Sequence, residues 1–223
     1  MFRNVWDALR KNPLVDDSYE IMDRLHHDTQ EMFIIAMKGL VDGEDKAEEV
    51  LRMDKGVNRK VQLVRKKVFE YLSMSSVPNI TAGLTLISLV IDYERIGDYA
   101  KDLALMREEY GFEGDLRDET KEVLEDMKDQ ISLMMLEAHR SMEKNEVKYP
   151  TKVTLMEREL KEMYEKVAEA VLEKGYDRRE GMVVLISSRI IKRIGGHLDN
   201  IASAGARPFP KLGFKPGASS WED

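Results

Sequence analysis

Arg95-Ile96-Gly97 returns as Arg193-Ile194-Gly195 nearly half the chain later, and Leu103-Ala104 returns in step as Ile201-Ala202. A repeat of that length restricts a 223-residue chain to two versions of one unit, each able to bury part of a core. The unit is helical. Apolar residues recur at intervals of three and four almost throughout, and alternation bounded by turns, the mark of a strand, is missing.

Breakers divide the pattern. A short helix precedes Asn12-Pro13, and a long one is expected over about Asp17 to Leu40, with Met22, Leu25, Met32, Ile35 and Ala36 inward and Asp42-Gly43 as its stop. The next, from about Asp45 to Ser73, carries Val50, Met53, Val57, Val61, Val64 and Val68 as its stripe. After Ser75-Ser76-Val77-Pro78, another runs from about Asn79 to Tyr110 and halts at Gly111. Its first half, ITAGLTLISLVI, is apolar on nearly every side, as befits a helix wedged between neighbours.

The second half repeats the plan over about Leu116 to Lys144, Pro150 to Lys174 and Arg178 to Ala204. The expected fold is all-α: two tandem antiparallel three-helix bundles, residues 14–111 and 112–205, then an irregular C-terminal tail, 206–223. Three of the six prolines lie in that tail, which excludes a helix there. Its aromatic residues Phe209, Phe214 and Trp221 leave it a means of docking on a neighbour. The segment Ser132-Leu133-Met134-Met135-Leu136 reads as core.

Charge narrows the function. Charged residues make up 35 % of the chain and the net charge is −7, so the average surface repels nucleic acid. There is no cysteine, which removes thiol catalysis and thiolate metal sites and agrees with a reducing cytoplasm. The start of the chain lacks the apolar centre of a secretory signal, and the longest apolar run, Gly83 to Ile91, falls short of the about 20 residues a membrane span requires.

The two copies differ most in their acids. Glu94, Asp98 and Asp102 stand four residues apart on one helix, whereas the twins of the first two are Lys192 and Gly196. Carboxylates so spaced project from one side and suit hard or borderline cations. A neighbouring helix must complete such a site, and Asp54, four residues before Asn58, is the best placed acid. The same stripe also reads as a solvated face with Arg95 and Lys101 as partners. Asp23, His27 and Glu31 share the spacing and form an outside candidate. A di-iron carboxylate bundle is a poor match, since paired Glu-x-x-His units are missing. No P-loop, dinucleotide fingerprint, zinc-protease motif or nucleophile elbow occurs. Two basic groups stand out, Arg59-Lys60 with Arg65-Lys66-Lys67, and Arg189, Lys192 and Arg193. Gly97 and Gly195 point to close helix approach in both copies.

With Asp54-Lys55-Gly56-Val57-Asn58 on one helix and Tyr93-Glu94-Arg95-Ile96-Gly97-Asp98 on the next, the sequence resembles the PhoU family of phosphate-uptake regulators. The resemblance covers most of the chain. It implies a six-helix protein whose acidic motifs hold metal ions, iron and zinc among them, at the bundle surface. It also implies a cytoplasmic regulator, not an enzyme, with no catalytic residue to name. Its implied partners are the ATPase subunit of a phosphate ABC transporter and a sensor histidine kinase, with membrane association only through them, no nucleic acid, and room for a homodimer.

Carried over, Glu94 and Asp98 occupy the motif, Asp102 extends it by one turn, and Asp54 faces them. The second copy departs from the family pattern: Lys192-Arg193-Ile194-Gly195-Gly196-His197 has lost both acids, and Glu157 takes the place of Asp54. A second metal cluster is therefore expected to be absent or weak. Two other readings stand beside this one: an accessory domain for another transporter or a transcriptional regulator, and a metal-dependent hydrolase.

Overall fold

In the computed structural model, which describes residues 13–213 apart from 145, 147, 174 and 208, six helices follow one another. They are α1 (Pro13–Asp42), α2 (Ala47–Met74), α3 (Ile80–Glu109), α4 (Asp118–Lys144), α5 (Lys148–Glu173) and α6 (Arg178–Ser203). Among the described residues there is no strand. The expected short helix ahead of Asn12 lies outside them.

Local chemistry sets the ends. Pro13, expected to mark a break, opens α1, because its fixed φ and missing N–H suit a first helical turn. Gly43, at φ 75°, and Gly111, at φ 56°, reverse the chain after α1 and α3 in a conformation that side chains resist. Asn79 caps α3 by accepting a hydrogen bond from the Ala82 N–H at 3.0 Å, and Asp177 caps α6 by accepting from Arg179 N–H at 2.9 Å and Glu180 N–H at 3.3 Å.

Short connections turn each helix back on the one before, so α1 to α3 form one antiparallel bundle and α4 to α6 a second. The stripes read from the sequence are the faces that meet. Met22, Leu25, Met32 and Ala36 of α1 and Val50, Val57, Val61, Val64 and Val68 of α2 are buried, while Ile35 and Met53 lie at the core's edge. Helix α3 packs on α1, α2 and α6, and within its apolar first half Ala82, Gly83, Leu86, Leu89 and Val90 are buried while Ile80 and Ile91 stay exposed. Helices α3 and α6, the two that carry the repeated motif, thus lie against each other, and one apolar core runs through both bundles.

The Met-rich segment of α4 divides, with Met134 and Met135 buried and Leu133 and Leu136 turned outward. The tail is less irregular than its prolines suggest. Phe209–Lys211 form a 3₁₀ turn on α3, closed by Leu212 N–H donating to the Phe209 carbonyl at 3.1 Å. Pro210 is tolerated there because a single turn leaves its absent N–H unneeded. Phe214 and Trp221 lie outside the described residues. Among the described residues no helix is long and apolar enough to cross a membrane.

Candidate functional site

The acids of α3 stand where their spacing sets them, beside the core stripe of Tyr93, Ile96 and Ala100. Glu94 and Asp98 are half-buried and Asp102 is exposed. Asp54 of α2 is buried and meets the stripe across the α2–α3 seam, where Gly97 lies against Val57.

A cation already holds these groups together. The Lys101 ammonium donates to Asp98 Oδ1 at 2.8 Å and lies 3.7 Å from Asp54 Oδ2. That hydrogen bond to Asp98 lifts the Lys101 pKa above its ordinary value, against the opposing effect of burial. Arg95 donates to the other oxygen of Asp98 at 3.3 Å, Asn58 donates to Asp54 Oδ2 at 3.1 Å, and Arg65 of α2 lies 3.7 Å from Glu94. Asp54 Oδ1 is buried without a hydrogen-bond partner. The donor chemistry, carboxylate oxygens with one of them buried and unbonded, suits a cation. The geometry does not suit a bound metal ion as it stands: among the described residues no three His, Asp or Glu side chains converge as ligands, and Lys101 occupies the approach between Asp54 and Asp98. The solvated-face partners Arg95 and Lys101, read from spacing, are thus in contact with the acids, and Arg65 adds a third.

Repeat two inverts the charge. Lys192 rests its ammonium 4.1 Å from the centre of the Tyr164 ring, and Arg193 lies 5.1 Å from that of Tyr99. Burial, with Arg189 and Lys161 nearby, holds the Lys192 pKa below the usual lysine range. A Cβ on Gly196 would meet nothing within 4 Å, so the position twinned with Asp98 is open surface. Glu157, like its twin Asp54, is buried.

The outside candidates part company. Asp23 and His27 do not assemble with Glu31. Instead they turn to α4 of the other repeat, where His139 Nε2 lies 2.7 Å from Asp23 Oδ1. His26 is buried beside them, its ring 4.8 Å from that of His139 and its Nδ1 3.3 Å from the Tyr93 hydroxyl. A second link joins the repeats on the motif helices: His197 Nδ1 and Asn200 Nδ2 lie 2.8 and 3.1 Å from Asp92 Oδ1. Neither cluster was visible in the sequence, because each joins residues about a hundred positions apart that share no spacing rule. The one available sign was that His197 and Asn200 survive in a motif whose acids are gone.

The PhoU domain model matches residues 22–106 and 124–204, so that each match falls within one three-helix unit. The crystal structure of PhoU from Pseudomonas aeruginosa superposes with a TM-score of 0.78 over 87 % of this chain and 96 % of that one. At 19 % identity the likeness is one of fold. No curated protein matches the sequence.

Proposed function

This chain belongs to the PhoU domain family, and from that premise we propose that it regulates phosphate uptake and phosphate-starvation signalling as a cytoplasmic, non-catalytic helical adaptor. The observation that carries the reading is the match of the family model to both repeats together with the placement of the motif acids on an outward helix face. Small-substrate enzymes gather their polar groups in a concave pocket. A cleft of about 610 Å³ lies farther along toward the C-terminal end of α3, around Gly43, Lys46, Arg107 and Phe112, and none of the four acids Asp54, Glu94, Asp98 and Asp102 lines it. Arg107 is occupied there, donating to the Leu40 carbonyl at 3.0 Å and to that of Gly114.

The partners proposed are the ATPase subunit of a phosphate ABC transporter and a sensor histidine kinase. Pull-down of each by the tagged full-length chain tests this, and capture of neither removes the phosphate-signalling reading. Metal binding belongs to the same proposal in restricted form. An ion such as iron or zinc held by Glu94, Asp98, Asp102 and Asp54 requires Lys101 to swing outward first, so binding is expected to be weak in the native chain. Elemental analysis against the Glu94→Ala/Asp98→Ala variant is the check.

A further inference from the structure

We propose that the outer face of repeat two, at Lys161, Arg189 and Lys192, is a binding site for a phosphate-type oxyanion, either free or borne on a lipid headgroup. The inference starts from four twinned positions. Asp54 and Asn58 on α2 correspond to Glu157 and Lys161 on α5, and Glu94 and Asp98 on α3 correspond to Lys192 and Gly196 on α6. The same surface that is acidic in repeat one has therefore gained two lysines and lost two carboxylates.

Basic residues on a helix are ordinarily consumed by neighbouring acids, and this chain supplies the control. Four of the five basic residues of the α2 group are spent in that way, Lys60 on Asp28 at 2.6 Å, Lys67 on Asp17 at 2.7 Å, Arg65 on Glu94 at 3.7 Å and Lys66 on Glu70 at 3.8 Å, with Arg59 the exception among the described residues. The group on α6 is not. Among the described residues Arg189, Lys192 and Arg193 enter no ion pair; Lys192 and Arg193 rest on the faces of Tyr164 and Tyr99. Lys161 on α5 pairs with Glu165 one turn on at 3.8 Å, the same contact that Lys66 makes with Glu70.

Like charges held this close raise each other's energy. The lowered Lys192 pKa records it: burial acts first, then Arg189 and Lys161, while Glu157 and Glu165 pull the other way without prevailing. A multiply charged oxyanion removes that repulsion and accepts hydrogen bonds from all three side chains. Tyr164 fixes the Lys192 ammonium from one side, and the open position at Gly196 leaves its approach clear. The net charge of −7 opposes anions at long range, yet at physiological salt charges beyond about 8 Å are largely screened, so the local cluster governs.

The test is titration of the isotope-labelled full-length chain with inorganic phosphate at constant ionic strength, followed by NMR. Saturable shifts at Lys161, Arg189 and Lys192 are expected, weakened about tenfold or more by Lys192→Glu, retained in Lys192→Arg and unaffected by Lys60→Glu on α2. A parallel arm uses phosphatidate against phosphatidylcholine vesicles. Binding confined to phosphatidate and lost in Lys192→Glu assigns the oxyanion to a headgroup. Absence of both responses, or responses that Lys192→Glu and the milder Lys192→Met leave unchanged, overturns the proposal. Neither arm involves the transporter or the kinase, so failure of the adaptor reading leaves this result distinct.

Discussion

At Lys101 the chain supplies its own cation to a place where the family motif presents oxygen ligands. A second positive charge about 4 Å away costs about 4 kcal/mol at the effective dielectric of a protein surface, which sets the ammonium against any incoming metal ion. The lysine stem is flexible and reaches solvent, so displacement is a matter of competition. Lys101→Met removes the competitor, leaving Asp54 without its neighbouring cation and Asp98 paired with Arg95 alone. Zinc or iron retained after dialysis is expected to rise about tenfold or more in that variant, and to vanish when Glu94→Ala/Asp98→Ala is added. Equal loading of the native chain and both variants strikes the metal from the proposed function. The stripe itself was legible from spacing, as was Lys101 as a partner. What spacing could not carry was Arg65 reaching over from α2, nor that Asp54 keeps one oxygen buried and unbonded.

Between elements, the repeated glycine shows how far two copies of one unit can diverge. The sequence marks Gly97 and Gly195 as equivalent, and both face the preceding helix of their own bundle, but what they face differs. A Cβ on Gly97 would lie 3.4 Å from Val57 Cγ1, an ordinary contact, whereas one on Gly195 would lie 2.6 Å from Leu160 Cδ2. Val57 and Leu160 are themselves twins, so one extra carbon on the partner side chain accounts for the tighter seam. Alanine gains about 1 kcal/mol over glycine inside a helix, and overpacking a core costs about 1–3 kcal/mol. Gly97→Ala should therefore be neutral or stabilising by up to about 1 kcal/mol, and Gly195→Ala net destabilising. Urea midpoints of the two variants decide it, and shifts of the same sign would contradict the asymmetry. The helices and their inward faces were readable because 3.6-residue periodicity writes them directly into the sequence. The seams were not, because their tightness depends on pairs drawn from different helices.

For the molecule as a whole, the two bundles behave as one body, joined by a shared core, by Asp92 with His197 and Asn200, and by a cluster of three histidines. The histidine cluster makes that joint sensitive to acid. His26 of α1 is enclosed by Asp23 and His27 on its own helix, by Tyr93 of α3, and by His139 and Met142 of α4, with Glu143 3.9 Å from His139. Burial, then the neighbouring His139 and His27, lowers its pKa from 6.5 to about 3, while Asp23 acts in the opposite sense. The unfolded chain takes up a proton at this residue near pH 6.5 and the folded chain does not, so the unfolded state binds more protons between about pH 6.5 and 3. Stability is then complete above pH 6.5 and falls as the pH drops, with a slope approaching about 1.4 kcal/mol per pH unit from this one residue. Carboxylates titrating in the same range add their own slopes, which a His26→Gln variant shares. Glutamine keeps a donor for the Tyr93 hydroxyl, itself held protonated by burial, but cannot take up the proton. Denaturant unfolding at pH 7.5 and pH 5 should show the native chain losing more stability than the variant, by about 1–2 kcal/mol. Parallel losses in the two proteins would mean that His26 is not the proton-sensitive group of the joint.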